Sequence, residues 1–165
     1  MRLLDDNQED RHNLFMREAL REAEKAAEKG EVPVGCVIVH DNRIIGRGYN
    51  RREALQDATA HAEIIAISAA CQTMHSWRLE DCTMYVTLEP CPMCAGAIVL
   101  TRIPVLVYGA DDPKAGACGT LLDIVRDSRL NHIVDVIDGV MAREAQSLLQ
   151  DFFRTLRRRN SKAED

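Results

Sequence analysis

The passage from Thr83 to Cys94, TMYVTLEPCPMC, limits the fold more than any other stretch of the chain. Its first half, Thr83–Leu88, is an apolar run of strand length, which reads as a buried strand. Its second half carries Pro90 and Pro92, and a proline is tolerated in the first turn of a helix because that position needs no N–H. The small residues Ala95, Gly96 and Ala97 continue a helix predicted over Pro92–Thr101. A strand that runs directly into a helix belongs to an α/β architecture.

The rest of the chain repeats this alternation. Gln8–Lys29 is helical in pattern, with Met16, Ala19, Leu20, Ala23 and Ala27 on one face and Gly30 as its stop. Val34–His40 (VGCVIVH) is a strand by its β-branched content, Asp41-Asn42 a turn, and Arg43–Asn50 the returning hairpin partner. A helix is expected over Ala60–Met74, strands over Val105–Gly109 and Ile133–Ile137, and a terminal helix over Val140–Arg159. Asp111–Gly119, with Pro113, Gly116 and Gly119, reads as a loop. The expectation is a three-layer α/β fold, a mixed five-stranded sheet flanked by helices. With 165 residues, and no repeat or linker, a single domain over 1–165 is expected.

Charge and cysteine usage exclude several functions. No window reaches the ~18 apolar residues of a membrane span, and Met1–Asp10 is too charged for a secretory signal. A cytoplasmic protein without a membrane partner is expected. A net charge of −5 argues against a general nucleic-acid binder. The exception is Phe152–Arg159, FFRTLRRR, where Arg154, Arg157, Arg158 and Arg159 occur without an acid. Such a run is either a solvated helix end or a local dock for a polyanion. Six cysteines in a chain of this length, without an export signal, read as thiols or metal ligands rather than disulfides.

Two short segments carry the chemistry. One is His61-Ala62-Glu63, at the start of a predicted helix; the other is Cys91-Pro92-Met93-Cys94. Taken alone, Cys-x-x-Cys can be a redox pair or two buried thiols, a lone histidine a core residue, and a lone glutamate a solvated one. Together, one turn of helix brings the two sulfurs to the same ion, and His61 makes a third ligand. Three protein ligands with a fourth position open is the arrangement of catalytic zinc, and a sulfur and imidazole set favours zinc over iron. Trp77 and Tyr85 read as packed rings, and Phe152 and Phe153 as core. His40, His75 and His132 receive no metal role, and His132 is expected to make a structural hydrogen bond.

The pair H-x-E and P-C-x-x-C is the signature of zinc nucleobase deaminases. The chain resembles the bacterial tRNA-specific adenosine deaminases, of the cytidine deaminase-like fold. EVPVGCVIV, GYN, DATAHAEI, YVTLEPCPMCAGAI, YGADDPKAGACG, LNH and DFFR carry the resemblance, which runs from the first helix to about Arg158. It implies His61, Cys91 and Cys94 as ligands of one Zn2+ per subunit and Glu63 as the catalytic proton shuttle. It also implies Asn50 against the adenine, Val34 and Leu88 lining the base pocket, and Asp112 beside the flipped nucleotide. Arg154, Arg157 and Arg158 would contact the RNA. The implied partners are the anticodon stem-loop of tRNA and a second copy in a homodimer, with the wobble adenosine converted to inosine. Cys118 departs from the alanine often found there, as a packed thiol or a site of oxidation. The rivals are a free-base or nucleoside deaminase acting on guanine or cytosine, and a non-catalytic zinc-stabilised RNA-binding module. Glu63 and the three-ligand count oppose the second rival, and the basic terminal helix opposes the first.

Overall fold

The computed structural model describes residues 5–163. Met1–Leu4 of the charged N-terminal segment, and the last two residues of the expected domain, lie outside the described residues. The elements run α1 (Asp6–Glu28), β1 (Gly35–His40), β2 (Arg43–Tyr49), α2 (Arg52–Leu55) and α3 (Ala62–Met74). They continue with β3 (Thr83–Leu88), α4 (Pro92–Leu100), β4 (Val105–Ala110), β5 (Asp135–Ile137) and α5 (Ala142–Ala163).

Local chemistry fixes α1. The Asp5 carboxylate caps it by accepting the Gln8 N–H at 2.7 Å, and Asp6 and Glu9 in the first turn suit the positive end of the helix dipole. Gly30 follows its end at φ +75°, a left-handed conformation that glycine adopts freely. Phe15, Met16, Ala19, Leu20, Ala23 and Ala26 form its buried stripe. Ala27, expected on that face, is only half-buried, because the stripe passes from Ala23 to Ala26 at i+3.

The sheet has the order β2-β1-β3-β4-β5. β1 pairs antiparallel with β2 and β3, whereas β3–β4 and β4–β5 are parallel, so the sheet is mixed, as expected. Alternate residues of each strand face opposite layers. Cys36, Ile38, Met84, Val86 and Leu106 pack against α3 and α4. Val37, Val39, Tyr85 and Val107 pack against α1 and α5. These are the three layers.

This topology gathers one set of strand ends at one end of the sheet. Gly35 at the start of β1 pairs with Tyr49 at the end of β2, Cys36 with Val86, and Leu88 at the end of β3 with Ala110 at the end of β4. Val34, Asn50, Glu89 and Asp111 therefore emerge together, where α3 and α4 also begin. Crevices outside the ends of parallel strands are where α/β sheets bind ligands.

Several expectations are corrected. Trp77 is 59% exposed rather than packed, because α3 ends at His75 in a left-handed conformation and the next turn carries the ring away from the core. Tyr85 is fully buried, as expected. Phe152 is half-buried and Phe153 exposed, so they are not core. Only Ala145 of α5 is buried, and the helix runs past the sheet before reaching them. β5 is shorter than Ile133–Ile137 because the Val134 N–H turns to the Val125 carbonyl at 2.8 Å. All six cysteines are free thiols, as expected, and His132 Nε2 bonds the Ile103 carbonyl at 2.7 Å. Cys118 is fully buried and burial raises its pKa, which makes it a packed thiol rather than a site of oxidation.

Candidate active site

His61 and Cys91 are the N-caps of α3 and α4, each in extended backbone, and neither side chain makes a capping hydrogen bond. Both side chains turn into the space between the helix starts instead. Cys94, in the first turn of α4, completes the group. The His61 Nδ1 lies 3.6 Å from the Sγ of Cys91 and 3.6 Å from that of Cys94. The three donor atoms all lie within 4.8 Å of one another. One tetrahedral zinc, with Zn–S near 2.3 Å and Zn–N near 2.0–2.1 Å, sets nitrogen and sulfur about 3.5 Å apart. The separations and the soft donor set both fit such an ion.

Glu63 stands in the first turn of α3, 3% exposed, its Oε2 4.0 Å from His61 Nδ1. It lies outside the three-residue cluster yet lines the same cavity as His61 and Cys91. Burial pushes its carboxyl up to about 7, against the opposing pull of the Cys94 hydrogen bond and the His61 charge. A carboxyl balanced near neutrality can both take and return a proton. The Cys91 thiol is held down at about 4, first by the hydrogen bond from Cys94 and then by His61. Cys94, the donor of that pair, is raised, and His61 is raised chiefly by its hydrogen bond to Cys91.

A cavity of ≈ 230 Å³ opens over the cluster. Val34, Asn50, Leu88 and Asp112, the residues expected to meet a substrate, line it with His61, Glu63 and Cys91. Asn50 is buried, and its Oδ1 has no hydrogen-bond partner among the described residues. Such an acceptor is costly unless a ligand satisfies it. Val34 and Leu88 supply apolar walls suited to a flat ring.

Sequence reasoning missed Arg52 and Glu89, which also line the cavity. Nothing in the pair Arg51-Arg52 marks one as facing a pocket. α2 was likewise missed: it is four residues long and its start is capped from afar, Glu31 accepting the Ala54 N–H at 2.8 Å and that of Glu53 at 3.3 Å. Glu89 did offer a signal, a charged residue between an apolar strand and a Pro-Cys turn.

The tail arginines lie apart from this cavity. Arg154 and Arg157 line a separate groove with Lys114 and Phe153, so the basic face of α5 adjoins the Asp111–Gly119 loop. Arg154 pairs with Asp151 at 3.2 Å, and Arg158 is exposed. Arg159 faces another groove, with Phe152 and Thr155, near the end of α1.

Comparison with known proteins adds to this geometry. Residues 10–157 match the sequence model of the MafB19-like deaminases. The chain is 51% identical over 150 residues to the tRNA-specific adenosine deaminase of Bacillus subtilis strain 168, covering 91% of this chain and 93% of that protein. It is also 51% identical over 145 residues to the protein of that name from Streptococcus pyogenes serotype M1, covering 88% and 85%. A solved structure from a study of A-to-I editing by tRNA:A34 deaminases at the wobble position superposes with TM-score 0.79 at 46% identity, over 82% of this chain and 98% of that one. Guanine deaminase from Bacillus subtilis superposes with TM-score 0.60 at 39% identity, over 66% and 70%.

Proposed function

The chain belongs to the MafB19-like deaminase family, and from that premise we propose that it is a tRNA-specific adenosine deaminase, converting the wobble adenosine of an anticodon to inosine. The observation that carries this reading is the meeting of His61, Cys91 and Cys94 beneath a cavity walled by Val34 and Leu88, with Glu63 at its floor. The cytidine deaminase-like fold accounts for that meeting, because it brings both ligand-bearing helix starts to the same end of the sheet.

The proposed ligands are His61, Cys91 and Cys94, and the proposed metal is zinc, one per chain. When bound, zinc would lower the pKa of water to about 7 and so supply the nucleophile. Asn50 Oδ1 would accept a hydrogen bond from the base, and Val34 and Leu88 would hold the ring flat beside Glu63. Glu63 takes a proton from the attacking water and delivers it to ring N1 as oxygen adds to C6. The resulting carboxylate takes the remaining proton from the C6 hydroxyl and hands it to the exocyclic nitrogen, which departs as ammonia as the C6 carbonyl forms. Adenosine and water become inosine and ammonia, and the carboxylate is regenerated.

We place the anticodon stem-loop along the groove of Lys114, Arg154 and Arg157, with Arg158 beside it and Asp112 next to the flipped base. A homodimer is part of the proposal. α4 supports it: Leu100 is 69% exposed, and a Cβ added at Gly96 would meet nothing within 4 Å, so this face is open to a second copy. One catalytic domain across the chain, working in the cytoplasm, completes the reading. Among the described residues no helix is long and apolar enough to cross a membrane.

Incubation with bulk tRNA and with free guanine and cytosine separates the readings. Inosine in digested tRNA nucleosides is the expected product; ammonia from a free base, with no inosine in tRNA, would replace this function by the small-substrate one.

A further inference from the structure

Glu89 is a carboxyl shut away from water, 2% exposed, between the last residue of β3 and the turn that carries Cys91. Its oxygens are turned entirely onto one loop. Oε1 accepts the Asp112 backbone N–H at 3.3 Å and the Thr120 hydroxyl in a short contact. Oε2 accepts the N–H groups of Cys118 at 3.1 Å and Thr120 at 3.3 Å. Two backbone bonds strengthen the same seam: the Glu89 N–H donates to the Ala110 carbonyl at 2.8 Å, and the Ala117 N–H to the Pro90 carbonyl at 2.9 Å. Every partner of the Glu89 side chain is a donor. A carboxylate can satisfy all of them, whereas an amide presents an NH2 that can accept none.

The loop held in this way builds part of the cavity. Asp112 and Ala115 both line it. Asp112 spends its Oδ1 on the loop itself, accepting the N–H of Lys114 at 2.9 Å and of Ala115 at 3.2 Å. Its place in the cavity wall is therefore set from behind, by whatever anchors its own backbone. Gly116 shows how tight that anchorage is, since a Cβ there would lie 2.2 Å from Glu89 Oε2.

We infer that Glu89 is a positioning residue for the substrate: its carboxylate draws the Asp112–Thr120 loop against the metal cluster and so fixes the cavity wall that receives the target nucleotide. This rests on the deaminase reading above and deepens it. Glu89 acts through the loop, and the proton chemistry belongs to Glu63. Loss of the anchor should weaken substrate capture and spare the chemical step once substrate is bound.

Steady-state deamination of an anticodon stem-loop with adenosine at the wobble position tests this, with metal content measured alongside. Removing a hydrogen bond to a charged group commonly shifts an equilibrium by about ten- to a hundredfold, so Glu89→Gln should raise KM by that order. Its kcat should stay within about threefold of wild type, the mark of an interaction made alike in ground and transition states. Thr120→Val should raise KM by a smaller factor, and Thr120→Ser, which restores the donor, should return it. Gly116→Ala should raise KM with the carboxylate intact, by forcing the loop off it. Should Glu89→Gln fail to fold, the Thr120 pair and Gly116→Ala decide the matter. A wild-type KM in these variants overturns the inference, as does a kcat loss at unchanged KM or a loss of metal. Absence of inosine with the wild-type chain itself overturns the deaminase reading, and this inference with it.

Discussion

The Cβ that Gly35 lacks would lie 1.9 Å from the carbonyl oxygen of Ala19, so α1 rests directly on the backbone of β1. The obstruction is main chain, which cannot swing aside as a side chain would. Overpacking a core typically costs about 1–3 kcal/mol, and Gly35→Ala should fall at or beyond the upper end. Gly96→Ala makes the contrast: with open space around it, the change should stabilise the monomer by about 0.5–1 kcal/mol through helix propensity alone. Urea unfolding of both variants, at concentrations low enough that the chain is monomeric, should give shifts of opposite sign; equal shifts would mean that the sheet has room beneath α1.

Metal binding and chemistry should separate in two variants. Elemental analysis should find one zinc per wild-type chain, and Cys91→Ala should lose most of it, and its activity with it. Glu63→Ala should keep zinc and fold yet lose at least ~10²–10⁴-fold in turnover, the usual contribution of a positioned proton-transfer group. Retention of a tenth of wild-type turnover in Glu63→Ala would remove the shuttle role.

The basic face of α5 is testable through salt. Arg154, Arg157 and Arg158 are exposed, and the Arg154–Asp151 pair is of the solvent-screened kind that contributes little. If these arginines meet phosphates, replacing all three by alanine should weaken tRNA binding and flatten the dependence of log affinity on log salt by about 2–3 units. The rate at saturating tRNA should change little, because phosphate contacts position and the pocket reacts. An unaltered salt slope would reduce the run to a solvated helix end.

A pH effect on stability follows from His12, whose Nδ1 sits 2.9 Å from the buried Tyr85 hydroxyl. Burial, and then the charge of Arg11, lower its pKa from the ordinary 6.5. The unfolded chain therefore takes up a proton near 6.5 that the folded chain still refuses. The stabilising contribution is whole above that value and is lost as the pH falls toward the folded pKa. His12→Gln should lose less stability than wild type between pH 7 and pH 5.5, measured by urea unfolding. Equal losses in the two proteins would show that His12 is not the group responsible.

Much of the site was legible because its parts are local. His61, Cys91 and Cys94 each stand at a boundary that residue type alone marks, with Pro92 opening one helix and a polar stretch preceding the other. The β-branched content of VGCVIVH and the apolar run TMYVTL were likewise enough to place the central strands. What escaped was decided at a distance. Trp77 and Phe153 are apolar by type, but their exposure depends on where a helix ends relative to the sheet. Glu89 faces partners that lie 23 to 31 residues further along the chain, and no local pattern encodes that reach.

The vacant capping role of His61 and Cys91 has a thermodynamic consequence. A helix that forgoes its N-cap bond begins at a disadvantage of about 1 kcal/mol, and here two helices do so side by side. An ion gripped by those same residues would tie down both helix starts, so occupancy and local order are linked by mass action. Amide hydrogen exchange in the first turns of α3 and α4 should thus gauge the metal supply, slow in loaded protein and fast after chelation. Exchange in the β1–β3 centre of the sheet should barely respond.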